Sequence, residues 1–201
     1  MYRYAEGTGT AALFDWITDI DFLSSTELIC TDYLNHCLRL VDLSLSPPET
    51  STLAGNCTVE GNADGHRLNS ALFPYPKHTE VNSNKSILYV LDDYWTLSRI
   101  DLTTDIVTTL VTFDAQNYYM KIFCDSLLYF VQNSSVIVFN LSSGEERVVA
   151  GGEGGSAIDS LDAFGFLMFG DEGKTILLLA DSFSERFASF SHEVVLQAFY
   201  S

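Results

Sequence analysis

Residues 30–65 read CTDYLNHCLRLVDLSLSPPETSTLAGNCTVEGNADG, and the fold is decided there. Leu28-Ile29-Cys30 ends a short apolar run, and the polar stretch Thr31 to His36 turns the chain. Cys37-Leu38-Arg39-Leu40-Val41-Asp42 then alternates inward and outward residues as a half-buried strand does. Two such runs about one short turn make a hairpin. After Pro47 and Pro48, Ser51-Thr52-Leu53-Ala54 supplies a further strand, and the Gly and Asn residues from Gly55 to Gly65 form a loop.

The same parts return along the chain. Ala12-Leu13-Phe14 recurs as Ala71-Leu72-Phe73, Asp32-Tyr33 as Asp93-Tyr94, and Arg39-Leu40-Val41-Asp42 in sense as Arg99-Ile100-Asp101. The second unit, SILYVLDDYWTLSRIDLTTDIVTTLV (86–111), repeats the strand pattern, and a weaker third unit follows from Tyr118 to Ala150. The Gly-rich loop GGEGGSAIDS (151–160) precedes a fourth unit with FGFLMFG, TILLLADS, RFASFS and EVVLQAF. Units of four short strands every 40 to 60 residues or so are the sequence form of propeller blades. The expectation is therefore an all-β fold, a β-propeller of four-stranded antiparallel blades. About four blades are present, at roughly 12–55, 72–112, 117–151 and 163–199 of a single domain, 1–201. No sustained helical period is visible, so no helix is expected. An irregular β-sandwich is the competing architecture, and the recurring landmarks weigh against it.

Composition bounds the function. With 27 acidic against 10 basic residues, the formal charge of -17 repels phosphate backbones and anionic lipid, which disfavours nucleic-acid and membrane-surface partners. No apolar run approaches the ~20 residues of a membrane span, and MYRYAEGTGT has no apolar leader core. Taken alone, that points to the cytosol. Four glycosylation acceptors, at Asn56, Asn84, Asn133 and Asn140, point outside the cell, and so do Cys30, Cys37 and Cys57 within one repeat.

LICTDYLNHCLRLVDL, then STLAG, an Asp-Gly loop and ALFPYP, resembles the NHL-repeat family of β-propellers, in its extracellular invertebrate form. There an apolar strand ends in Asp, a polar turn with Asn follows, an Arg lies on the next strand, and Leu-Ala-Gly closes the blade. The likeness covers 12–111 well and 118–199 loosely. It departs at Thr96, at Gln132-Asn133, and at Val111-Thr112-Phe113, which lacks the closing Ala-Gly. Since such propellers usually have six blades, the resemblance implies a partial ring and a fragment of a longer extracellular protein. One family relative, a lyase acting on peptidyl hydroxyglycine, is a precedent for metal-dependent catalysis. Its ligands find no residue-by-residue match in His36, His66, His78 or His192.

Several residues carry candidate chemistry. A Cys37–Cys57 bridge would fasten the Gly55 to Gly65 loop, worth roughly 3 kcal/mol in the loop-entropy model. Cys30–Cys37 across the hairpin is the alternative, free buried thiols are a third possibility, and Cys124 has no evident partner. Asp15, Asp19 and Asp21, or Glu60, Asp64 and Glu153, have the oxygen chemistry for calcium but not the EF-hand spacing, and read as solvated loop acids. Asp32 with Arg39, and Asp93 with Arg99, read as structural pairs flanking hairpins. Trp16 and Phe139 read as inter-blade packing, while Tyr33, Tyr94 and Trp95, near the turns, are candidate interface anchors. Gly151 to Gly155 lacks the Lys-Ser/Thr of a phosphate loop and reads as a connection. The expectation is a non-catalytic interaction scaffold, extracellular and glycosylated, without cofactor. Its partner would be another protein or a matrix component. A metal-dependent lyase or hydrolase on the same fold, and an intracellular adaptor, are the alternatives.

Overall fold

The structure, a computed structural model, describes residues 3–132, 135–151, 163–171, 174–181 and 187–191. The chain divides into two compact units, Met1–Gln116 and Asn117–Ser201. In the first, strands β1 (Gly7–Thr8), β2 (Ile17–Phe22), β3 (Glu27–Asp32), β4 (Cys37–Asp42) and β5 (Glu49–Ala54) form one antiparallel sheet in the order β1-β5-β4-β3-β2. Strands β6 (Gly65–His66), β7 (Pro76–Val81), β8 (Ile87–Asp92), β9 (Thr96–Asp101) and β10 (Ile106–Thr112) form a second on the same plan, β6-β10-β9-β8-β7.

Each sheet is thus a four-strand meander with a two-residue fifth strand added to its outer edge. The sequence pattern predicts four strands; two residues are too few to show a period of two, which is why β1 and β6 leave no signal. Two 3-10 turns, Gly9–Ala11 and Tyr33–Asn35, likewise correct the expectation of no helix. They are too short to carry a helical period. Ala12-Leu13-Phe14 is not a strand either. Leu13 makes an isolated bridge to Ala5, as Leu72 does to Ala63, so the recurring landmark marks equivalent connections.

Burial follows the patterns. Every residue of β8 is buried, as its unbroken apolar run ILYVLD implies for a strand covered on both faces, whereas β10 alternates with one side toward solvent. The core between the two sheets joins Ile29, Leu38 and Leu53 to Val81, Leu88, Val90, Ile100 and Val107, with Ala71 and Phe73 of the connecting segment between them.

The sheets also meet edge to edge, where β2 lies against β7. Here the acids of β2, read from sequence as solvated loop residues, are corrected. Asp19 accepts the Ile20 N–H at 2.9 Å with one oxygen and the Thr79 N–H at 2.8 Å with the other. Asp21 repeats the arrangement on Phe22 and Val81, at 2.7 and 3.2 Å. The Thr18 hydroxyl donates to the Lys77 carbonyl at 2.9 Å. Two carboxylates thereby satisfy backbone N–H groups on both facing edges, an end that edge strands must otherwise meet with water or another chain.

In the second unit β11 (Asn117–Phe123), β12 (Leu127–Gln132), β13 (Ser135–Asn140) and β14 (Glu146–Gly151) form a four-stranded antiparallel sheet in sequence order. Its central strands bury Leu128, Phe130, Ile137 and Val138. Strands β15 (Ala163–Asp171), β16 (Lys174–Asp181) and β17 (Phe187–Ser191) form a three-stranded sheet that meets the other through β11 and β15. The further strand expected in EVVLQAF, and residues 152–160 of the Gly-rich loop, lie outside the described residues. The architecture of the described residues is all-β, built of antiparallel sheets of three to five strands. Among the described residues no helix is long and apolar enough to cross a membrane.

Candidate functional site

The hairpin turns of the two sheets in the first unit lie at one end, and each is built around the Asp that closes its strand. Asp32 accepts the Asp15 N–H at 2.8 Å, the Asn35 amide at 3.0 Å and Arg39 Nη1 at 3.0 Å. Arg39 and Asp32 are both wholly buried. The guanidinium also donates to the carbonyls of Leu13 and Ala5, and its carbon lies 4.7 and 5.1 Å from the ring centres of Tyr4 and Phe14. In the second sheet Asp92 instead accepts the N–H groups of Tyr94 and Thr96 at 2.8 and 2.9 Å, and burial pushes its carboxyl up to about 6. Residues His36 and Trp95 end the two turns in the left-handed region, at φ 60 and 64.

The expected Asp93–Arg99 pair does not form. Arg99 binds Asp101 at 3.0 Å, and Asp93 binds Lys77 at 2.9 Å. The second turn is one residue shorter than the first, so Arg99 faces Tyr89 across the ladder where Leu40 faces Ile29. A one-residue change of register moves a side chain to the other face.

What the turns build together is a run of aromatic rings. Trp16 lies 6.3 Å from Tyr33, Tyr33 5.1 Å from Tyr75, and Tyr75 5.7 Å from Tyr94, centre to centre, with His36 edge-on to Tyr75 at 4.6 Å. The His36 ring is held by donation from Nδ1 to the Pro74 carbonyl. Carboxylates pin the hydroxyls: Tyr33 donates to Asp93 at 2.6 Å, and Tyr94 and Tyr75 donate to Glu60 at 2.9 and 3.3 Å. Burial and the Asp93 carboxylate push the Tyr33 hydroxyl well above the usual tyrosine range, so it stays a donor. Burial acts to raise Asp93, but donation from Tyr33 and Lys77 outweighs it and holds the carboxyl below its ordinary value.

Glu60 owes its place to the Cys37–Cys57 disulfide, which ties the loop to the start of β4. The Cys30–Cys37 alternative is excluded, since Cys30 is a buried free thiol, pushed up to about 11 by burial. Gly55 lets the loop pass beneath the turn. At φ 93, a Cβ there would come within 3.0 Å of the His36 carbonyl oxygen and of the Phe73 ring.

Of the interface candidates, Tyr33 is half-buried within the run and Tyr94 is 54% exposed. Trp95 is half-buried and braces its turn through backbone bonds to Asp92 and Phe113. Trp16 corrects the packing expectation: it is 68% exposed, on left-handed backbone at φ 65. Sequence reasoning passed over Tyr75 and read Trp16 as packing and Glu60 as a solvated loop acid, although Glu60 stands three residues after a bridged cysteine. Asn56 and Asn84 are exposed and Asn140 is half-buried, while Asn133 lies outside the described residues. In Asn84-Lys85-Ser86 and Asn140-Leu141-Ser142 the Ser hydroxyl donates to the Asn Oδ1, at 2.5 and 2.7 Å. Of the other suspected acids, Asp64 accepts the Thr109 N–H and hydroxyl, and Glu153 lies outside the described residues. Among the described residues no three His, Cys, Asp or Glu side chains converge in a way that would hold a metal ion, and His192 lies outside them.

No family model matches the chain, and no curated protein does. Among solved structures it is similar to a structural-genomics protein of unknown function from Bacteroides thetaiotaomicron, with TM-score 0.64 and 14% identity over 95% of this chain and 45% of that one. It is similar to the extracellular domain of the putative hybrid two-component system BT3049 of B. thetaiotaomicron, with TM-score 0.55 and 14% identity over 94% of this chain and 25% of that one. It is also similar to U3-55K, with TM-score 0.51 and 13% identity over 87% of this chain and 51% of that one. The chain spans about half or less of the length of these structures, and at such identities the likeness is one of fold.

Proposed function

We propose that the sheets are successive blades of an NHL-type β-propeller, and that the chain is a non-catalytic scaffold that binds another protein or a matrix component. The observation that carries this reading is the ring run. Two blades contribute to it, and its ends, Trp16 and Tyr94, are exposed. Large aromatics presented to solvent are what interface anchors are made of.

The scaffold is extracellular and glycosylated. The Cys37–Cys57 disulfide suits an oxidising compartment, Asn56 and Asn84 stand in solvent, and the fold likeness includes one extracellular domain. Glycopeptide mapping of native material tests the compartment: occupied Asn56 and Asn84 support it, and unmodified sites overturn it. Affinity capture with the wild type beside Trp16→Ala and Tyr94→Ala tests the surface. A partner retained equally by all three proteins would overturn the assignment of the ring run as the binding face.

A further inference from the structure

We infer that the ring run receives a cationic side chain, an Arg or Lys on a basic segment of the partner protein, an inference that rests on the binding face proposed above. Three observations converge on this chemistry. The Tyr75 and Tyr94 hydroxyls point to the Glu60 carboxylate, which adds negative charge beside the π faces of those two rings, while Asp93, beside Tyr33, is paired with Lys77. Glu60 is exposed and, in its bonds to Tyr75 and Tyr94, meets only neutral hydroxyls, leaving its charge uncompensated within the run. The whole chain carries -17, so a basic segment is drawn to it and an acidic one repelled.

The chain already uses the same recognition internally. Arg39 lies between Tyr4 and Phe14 with its charge on Asp32, an aromatic pair and a carboxylate around one guanidinium. Trp16 stands 68% exposed at the end of the run, open to a partner's side chain. An aromatic platform beside carboxylates would also suit a neutral sugar, but a sugar gains nothing from the net charge.

The test is calorimetric titration of the full chain with an acetylated hexa-arginine peptide, with hexa-glutamate and a neutral chito-oligosaccharide as the other arms. Glu60→Gln and Tyr94→Ala change exposed side chains and are checked for unchanged melting. Each is expected to weaken hexa-arginine binding three- to five-fold or thereabouts. Glu27→Gln, which removes the same charge at the opposite end of the sheet, is expected to change it less than two-fold or so. Equal weakening by Glu27→Gln and Glu60→Gln would reduce the effect to diffuse attraction and overturn the inference. Binding of the sugar but not of hexa-arginine would overturn it too. In that case Trp16- and Tyr94-dependent capture of a partner would leave the binding face standing and only the cationic ligand refuted.

Discussion

Arg39 carries a full charge with no access to water, and Asp32, two carbonyls and two rings surround it, its Nη1 and Nη2 hydrogen-bonded and its Nε without a partner. Arg39→Ala would leave Asp32 buried without its counter-charge, so a loss of about 3 to 5 kcal/mol is expected in denaturant unfolding. Asp92 is the opposite case. Its carboxyl is raised to about 6, above an unfolded value near 4, so the folded state holds the proton more tightly. Its contribution to stability is fully present below about pH 4 and is lost as pH rises through about 6. Asp92→Asn keeps an oxygen to accept the Tyr94 and Thr96 N–H groups and has no charge to bury. The variant is expected to be more stable than wild type by about 2 kcal/mol at pH 7.5 and indistinguishable near pH 4. Equal effects at both pH values would show that Asp92 is not the group responsible. The Asp32 and Arg39 partnership was legible because seven residues span one hairpin turn. The Asp93–Arg99 analogue misled because residue type repeats while turn length does not.

Strand β2 shows what an element can hide. Its sequence, ITDIDF, alternates as a strand should, yet two acids on an alternating strand look like a solvated face. The chain places that strand at an edge, and a carboxylate with two oxygens can join two edges where a backbone ladder cannot form. Asp19→Ala and Asp21→Ala are each expected to cost about 1 to 3 kcal/mol, since each leaves N–H groups on β2 and β7 without acceptors. Faster amide exchange at Thr79 and Val81 is the specific readout; general destabilisation without it would argue against the edge contact. The repeated meanders and their turns could be read in advance because period-two alternation and Gly, Pro and Asn punctuation are local signals. Short fifth strands, inter-sheet carboxylates and the ring run could not. They depend on which residues of different repeats end up side by side, and a single chain with no register information does not show that.

At the scale of the whole chain, acidity sets the working range. A charge of -17 on 201 residues repels itself, and the compact state bears more of that repulsion than an extended one. Screening should therefore stabilise: raising sodium chloride from about 10 to about 300 mM shortens the Debye length from about 30 Å to below 8 Å, and the melting temperature is expected to rise. Acid works in two directions. Glu6, Asp93, Asp101 and Asp105 are held below their ordinary values by hydrogen bonds, with Asp101 at about 2, so their stabilisation is present above the unfolded carboxylate range and lost as pH falls through their folded values. Asp92 has the opposite sign between about 4 and 6, Asp32, which burial also raises, shares that sign, and net repulsion grows as the remaining carboxylates ionise. Unfolding free energy measured in urea, an uncharged denaturant, is therefore expected to be highest between these ranges, at about pH 4 to 6, and to decline toward both pH 3 and pH 8. A maximum at pH 8, or one that salt does not flatten on its alkaline side, would show that local pairings outweigh the summed charge of 27 acids over 10 bases.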